Sequence, residues 1–507
     1  MKCIVIVLDS VARQVLRCYG AAQPAITPNV DRLAKRGVVF DNHWCGSAPG
    51  MPARRELLTG RLNFLEKPWG GVEPFDCMLP TLLSEFDIST RIVTDNYRYL
   101  QIGGENYLNA FQTYELIRGH GEDPWRDSLL SEEIPFQTVT PYDLHNWRAV
   151  YANRSVRVDE RRYPTPITMQ KAADWIHENR TAEDYFLWVE GLDPQEPFDV
   201  TQNYLDLYAS EERVRENDKN DWPDAQNKRW TSLIERRTRV RYKALLSMAD
   251  AYLGKILDIL DCDRLWDDTM VIFTTDSGYL LGEHGYWTKN SMPAYNEVFR
   301  IPLIIAAPEA KPRRVAELTQ SVDLFPTIAE LFGVLEEARN PLHGKSLLPL
   351  LDGSDEPIHD SILYGYFGKS VNWTDGRYTY FRAADRLLNR PLGIYTAMPT
   401  MPERYYNAEV IDEDEMRTIT LGHLMWTKYP VFRIPADIVE DDSDVIGVGH
   451  RSKENADSLL FDLWNDPEQM HPIRDAALER SCAEQLVRKL HAYDAPPEQY
   501  RRLGLST

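Results

Sequence analysis

Four aspartates in this chain stand where an apolar run stops: Asp9 after CIVIVL, Asp95 after TRIVT, Asp193 after DYFLWVEGL and Asp276 after TMVIFTT. Carboxylates so placed can hold a divalent cation, and each can equally cap the turn or helix that follows. For any one of them capping is the simpler role. Asp9 and Asp276 differ because small residues follow them, in Asp9-Ser10 and in Asp276-Ser277-Gly278, and let an ion approach. These two are read as a metal pair. A second stretch with chemical content is SAPGMPARRELLTGR, residues 47–61, where Pro52, Arg54 and Arg55 lead from a loop into an apolar Leu57-Leu58 pair. A loop-to-helix junction of this kind presents backbone N–H groups and positive charge to an anion. An anion or an oxygen nucleophile is expected at its tip, and the residue there is Gly50.

The segments that must hold these groups alternate between two patterns. Residues 3–8 form a continuous apolar run rich in β-branched residues, as expected of a strand buried on both faces of a parallel sheet. Residues 90–94, 184–192, 269–275 and 301–308 read the same way. Between them lie helical patterns: TPNVDRLAKRG, which starts at Thr27-Pro28 and stops at Gly37, and the amphipathic RTRVRYKALLSMADAYLGKILDIL. The expected fold is α/β with a mostly parallel central sheet, and ligands then sit beyond the carboxyl ends of the strands. From about residue 355 the texture changes, and SILYGYFGKSVNWTDGRYTYFRA predicts a hairpin around Thr374-Asp375-Gly376. The division expected is residues 1–355 as a catalytic domain and 356–507 as a smaller α+β domain with an antiparallel sheet that completes the rim of the site. An acidic tract (408–416 and 439–444) and a charged, Trp-containing insertion (211–230) carry no assignment.

With 507 residues, two domains are expected, and 43% hydrophobic residues suffice to build their cores. A formal charge of −21 argues against nucleic acid or an anionic membrane as partner, so positive charge for an anionic ligand must be local, as at Arg54. The six cysteines (Cys3, Cys18, Cys45, Cys77, Cys262, Cys482) have neither CxxC nor metal-type spacing and read as free thiols in a reducing compartment. No run approaches the roughly 20 apolar residues of a membrane span. A soluble, cytoplasmic protein is expected. Trp44, Trp69, Tyr97 and Tyr99 lie near the expected rim, where any of them could shape an aryl or sugar pocket.

Six segments in order resemble the motifs of type I sulfatases of the alkaline-phosphatase superfamily, near the branch of arylsulfatases and phosphonate monoester hydrolases. They are TPNVDRLAKRGVVFDN (27–42), MPARRELLTGR (51–61), DPQEPF (193–198), TTDSGYLLGEHGYWTK (274–289), SVDLFPTIAELFG (321–333) and LFDLWNDPEQ (460–469). The resemblance implies an α/β/α sandwich with a C-terminal domain built on a four-stranded antiparallel sheet. It also implies a formylglycine, made from the residue that opens a C-x-P-x-R motif, whose hydrate attacks sulfur with the help of one divalent metal ion. Carried onto this chain, Gly50 takes the nucleophile position, Arg54 holds it, and Asp9, Gly50, Asp276 and Ser277 are the metal ligands. Lys289 contacts the sulfate oxygens, His284 belongs to the same segment, and Gln195 and Asn96 stand where histidines are common.

The departures matter as much. Glycine has no side chain to attack with. Either the letter stands for a formylglycine written as its simplest parent, or glycine is genuine and the chain binds anions without turning them over. Pro52, Arg54, Thr59, Gly60 and Arg61 are as a modified site needs them. Ser10 replaces the second aspartate of the usual pair, and Asn96 and Arg98 replace a histidine or a Lys-x-His pair. Gln195 and Asn96 can donate hydrogen bonds to sulfate oxygens but cannot protonate a leaving group, which favours phenols unless Lys289 or His284 supplies the proton. Ser277 as a neutral ligand suits Ca²⁺, Mn²⁺ or Mg²⁺ better than Zn²⁺. The expected function is an arylsulfatase-like sulfuric-ester hydrolase for small organic sulfates, with side activity on phosphonate or phosphate esters. The alternative is an inactive anion-binding protein on the same fold, and a phosphodiesterase with another nucleophile is a weaker third. A homo-oligomer, dimer or tetramer, stays open.

Overall fold

The structure is a computed structural model, and it describes residues 1–126, 144–216, 218, 231–290, 293–384, 389–400, 413–436 and 457–506. Eight strands make the central sheet: β1 (Lys2–Leu8), β2 (Val38–Phe40), β3 (Ser89–Thr94), β4 (Thr113–Leu116), β5 (Tyr185–Gly191), β6 (Thr269–Thr274), β7 (Leu303–Ala306) and β8 (Arg313–Val315). Their order is β8-β2-β7-β6-β1-β5-β3-β4, with β7 antiparallel to both neighbours and the other pairings parallel. The registers Leu8↔Gly191 and Val7↔Thr274 bring the carboxyl ends of β1, β5 and β6 to one edge.

Why β1 reads as an unbroken apolar run is visible in its packing. Ile4, Ile6 and Leu8 face a layer formed by α1 (Pro28–Arg36), α4 (Pro164–Glu178) and α5 (Ser232–Cys262). Cys3, Val5 and Val7, which the period of two turns the other way, face α2 (Met51–Thr59), α3 (Leu79–Glu85) and α6 (Leu324–Leu331). Both faces are covered, so alternation with polar residues is absent. The result is the expected α/β/α sandwich.

The C-terminal part carries the expected antiparallel sheet of four strands, Ile362–Gly365, Val371–Thr374, Tyr378–Arg382 and Leu459–Asp462. Helix Ala476–Ala492 covers one face, with Leu486 and Leu490 against Leu363, Trp373 and Leu460. The turn falls at Gly376, whose φ of 88° glycine adopts readily and whose N–H donates to Thr374 Oγ1 at 2.9 Å. A second small sheet, Gly393–Thr396, Thr420–Gly422 and Val431–Pro435, was not expected and ties to the loop after α2 through Tyr395 N–H to Glu66 O, 2.9 Å. The four-stranded sheet is coupled to the Gly50 loop by Gly365 N–H donating to Gly46 O at 2.8 Å. Residues 439–444, 408–412, 217 and 219–230 of the unassigned tracts lie outside the described residues. The six cysteines are free, and no described helix is long and apolar enough to cross a membrane.

Candidate active site

Asp9 follows β1 directly and Asp276 lies just past β6. Since these strands are adjacent and parallel, the two carboxylates emerge side by side. Arg54, in the first turns of α2, reaches between them: Nη2 donates to Asp9 Oδ2 (2.9 Å), Nη1 to Asp276 Oδ2 (3.0 Å) and Nε to Glu190 Oε1 (2.5 Å). The planar guanidinium suits this task, since it offers divergent donors in a fixed fork. Gly50 is the residue before α2, and its N–H donates to Asp276 Oδ2 at 3.0 Å. Lys289 completes the cluster, its ammonium in contact with Asp9 Oδ1 and 3.2 Å from Asp276 Oδ2. A hydrogen bond from Tyr366 to the Lys289 carbonyl (2.9 Å) anchors its backbone.

Every member is buried: Asp9 0%, Arg54 1%, Asp276 1% and Lys289 5% exposed. Ionised groups survive there only when paired. Burial pushes the Asp9 carboxyl up, but Lys289, Arg54 and Arg98 together outweigh it and hold the group well below the usual carboxylate range. Burial likewise opposes the Arg54 charge, and Glu190, Asp276 and Asp9 more than restore it. Backbone conformation is unusual at both ends of the cluster, with φ of 61° at Ser10 and 74° at Thr288. For a β-branched threonine this is strained geometry, tolerated where surrounding contacts impose it.

The other expected site residues divide. Gln195 joins at one remove, accepting from Arg98 Nη1 at 3.2 Å and facing a small cavity with His120, Arg157 and Asp193. Asn96 supports the cluster from beneath: its amide donates to Glu190 Oε1 (2.9 Å) and its side-chain carbonyl caps the turn at Arg98 (3.1 Å). His284 is not brought in: its ring stacks on Tyr295 with centroids 3.7 Å apart, and Nε2 lies 3.3 Å from Glu297. Asp95 and Asp193 serve local structure. Asp95 accepts from Leu192 N–H and Thr165, with burial pushing its pKa up to about 7, while Asp193 pairs with His120 at 2.9 Å. Trp44 and Tyr99 are core residues, whereas Trp69 and Tyr97 flank Arg98, with ring centroids 5.5 and 5.6 Å from its guanidinium carbon.

Sequence reading missed Glu190. It sits inside β5 and holds Arg54, Asn96 and the Tyr99 hydroxyl (2.6 Å). Its signal was available: it is the one charged residue inside the strand Tyr185–Gly191, every residue of which is buried.

The model of one family, Sulfatase, matches residues 2–334 of the 507. The chain belongs to the sulfatase family. Choline-sulfatase of Rhizobium meliloti (strain 1021) is 26% identical over 381 residues, 67% of this chain and 70% of that protein. Iduronate 2-sulfatase of Homo sapiens is 24% identical over 409 residues, 68% of this chain and 70% of that protein. Among solved structures, the phosphonate monoester hydrolase of Agrobacterium radiobacter superposes with a TM-score of 0.63 at 18% identity, covering 97% of this chain and 96% of that one. Family and fold are those of a sulfuric-ester hydrolase.

Sulfatases generally use a formylglycine and a divalent ion, so the fit of each to this chain can be tested. At position 50 the backbone has φ 63° and ψ −117°, and a Cβ built there falls 2.4 and 2.5 Å from ring atoms of Trp69. A side chain at residue 50 therefore does not fit until the Trp69 ring moves aside. For the ion, the four expected ligands do not form a cradle. Gly50 offers no side chain, and all four carboxylate oxygens of Asp9 and Asp276 already accept hydrogen bonds. Ser277 Oγ, buried without a partner, is the one expected ligand left free. Among the described residues no three His, Cys, Asp or Glu side chains group as a metal site would.

Proposed function

We propose that this sulfatase-family site takes the sulfate group of a small organic sulfate monoester, and that hydrolysis occurs only in molecules whose residue 50 carries a formylglycine. The observation that carries the reading is the convergence of the Gly50 N–H, Arg54 and Lys289 on the edge formed by Asp9 and Asp276. The chain's own residues divide the work. Arg54 holds the residue 50 loop against the sheet, Lys289 and Arg98 supply positive charge for the sulfate oxygens, and Trp69 and Tyr97 beside Arg98 offer faces on which an aryl group can lie. Phosphonate and phosphate esters present the same tetrahedral, oxygen-rich centre, so side activity on them belongs to the same proposal. Neither Gln195 nor Asn96 can give up a proton, and His284 faces elsewhere, so phenols with stable anions are the preferred leaving groups. Free cysteines support a reducing compartment, and we place the protein in the cytoplasm.

A specific observation favours a second reading, in which glycine is genuine and the site binds without turnover: the Trp69 ring occupies the space of a side chain at residue 50. Calorimetric titration with phenyl sulfate, alongside release of nitrophenol from nitrophenyl sulfate, tests the shared part. Binding that weakens in Arg98→Ala is expected. A protein that neither binds phenyl sulfate nor releases nitrophenol would remove the sulfate-ester reading altogether.

A further inference from the structure

The chain departs from its family at the place where a divalent ion is expected. Asp9 Oδ1 accepts from Lys289 and from Ser10 Oγ (2.5 Å), and Asp9 Oδ2 accepts from Arg54 (2.9 Å). Asp276 Oδ1 accepts from Ser10 N–H (3.0 Å) and Thr275 Oγ1 (3.5 Å). Asp276 Oδ2 accepts from Gly50 N–H (3.0 Å), Arg54 (3.0 Å) and Lys289 (3.2 Å). Asp9 Oδ1 and Asp276 Oδ2 each accept from two or more donors, and each of these two oxygens would have to lose one to become a metal ligand.

Charge leads to the same place. The buried cluster holds three carboxylates, Asp9, Asp276 and Glu190, against the cations Arg54 and Lys289, with Arg98 adding its field at Asp9. Negative and positive charges already balance. Nor do the side chains of the expected set make up the ligand count. Ca²⁺ takes 6–8 oxygen ligands and Mg²⁺ demands near-ideal octahedral geometry, whereas Ser10 Oγ is engaged with Asp9, Gly50 has no side chain, and Ser277 Oγ is the single free hydroxyl of the expected set.

We infer that the Lys289 ammonium stands in for the divalent ion of the family, so that this chain binds its sulfate ester without metal. One positive charge, delivered by a side chain whose backbone is fixed by Tyr366 and by the φ of 74° at Thr288, bridges Asp9 and Asp276, Arg54 supplies the second charge they need, and the ammonium stays in place to meet an oxyanion. The inference deepens the sulfate-ester reading and rests on it for the ligand, but not for the metal.

The test uses the full chain. Protein is equilibrated with excess Ca²⁺ or Mn²⁺, desalted and assayed for bound metal, and its thermal midpoint is measured with each ion and with EDTA. No stoichiometric metal and an unchanged midpoint are expected; one retained equivalent, or a rise that EDTA reverses, would overturn the inference. Phenyl sulfate titrations with EDTA and with Ca²⁺ should give dissociation constants within about twofold of each other. Binding that appears only with metal would also overturn it. If phenyl sulfate fails to bind under either condition, the sulfate-ester reading fails while the metal measurements still decide this one. Finally, Lys289→Met removes one cationic donor from Asp9 Oδ1 and from Asp276 Oδ2 while Arg54 stays, and Ca²⁺ or Mn²⁺ should then raise its midpoint by mass action. A Lys289→Met protein that stays indifferent to both ions would show that the ammonium is not what excludes them. If that variant does not fold, the wild-type metal assay alone decides.

Discussion

Arg54 is the residue on which the site's internal charge balance turns, and Arg54→Met tests that directly. The substitution keeps most of the aliphatic volume and removes three charged hydrogen bonds, to Asp9, Asp276 and Glu190, at a position 1% exposed. Deleting one partner of a buried ion pair costs about 3–5 kcal/mol, because the other partner is left buried and uncompensated. With an unfolding entropy of roughly 2.1 cal/mol/K per residue, the 507-residue chain melting as one unit has ΔS near 1.1 kcal/mol/K, so the midpoint should fall by about 3–5 °C. Calorimetric melts of wild type, Arg54→Met, Glu190→Gln and the double variant would measure it. The double variant should cost less than the sum of the singles, since neutralising Glu190 removes one of the stranded charges. Mild acid should narrow the gap between Arg54→Met and wild type, because carboxylates deprived of their cation take up protons more readily than when unfolded. An Arg54→Met midpoint equal to wild type at neutral pH would show that the buried carboxylates do not depend on Arg54.

Three further outcomes follow from other parts of the molecule. Glu56, which accepts the N–H groups of Gly46 and Ser47, has its pKa pushed up by burial from 4.5 to about 8. The folded state therefore holds a proton that the unfolded chain has released, stability falls as pH rises from about 4.5 to about 8, and Glu56→Gln should flatten that part of the stability profile in denaturant titrations. Trp69→Ala removes the ring beside Arg98 and should weaken phenyl sulfate several-fold, in line with about 0.5–2 kcal/mol for a cation–π contact, while inorganic sulfate is affected less. His284→Ala should leave phenyl sulfate affinity unchanged, because its ring packs on Tyr295 away from the cluster; a large loss would return His284 to the site.

The expected residues that the structure brings to one edge share one property: their positions are set by strand ends or by a contiguous motif. Asp9 and Asp276 terminate adjacent parallel strands, and Arg54 and Lys289 lie in motifs whose local geometry carries the side chain to the same edge. Glu190 was hidden because it lies within a strand, where nothing local says that Arg54 from a distant helix will meet it. His284 has φ 55°, and a left-handed turn sends its ring away from the direction that an extended segment ending at Lys289 suggests. Asn96 looked like a ligand-facing amide because the turn Tyr97–Leu100, which consumes its carbonyl, is too short to leave a periodic pattern. The three-stranded sheet of residues 393–396, 420–422 and 431–435 went unseen for a related reason: its strands are short and their partners distant, so pairing is decided by tertiary contacts rather than propensity.

Residue 50 is proposed as the nucleophile position of a sulfate-ester site. Its most direct test is the mass of the tryptic peptide Gly37 to Arg54, taken together with sulfate release from nitrophenyl sulfate by the same preparation. Release should follow the fraction of peptide heavier than the glycine form by a carbonyl unit or its hydrate, and protein with the plain glycine peptide should bind but release nothing. Sulfate release by protein whose peptide has only the glycine mass would contradict it.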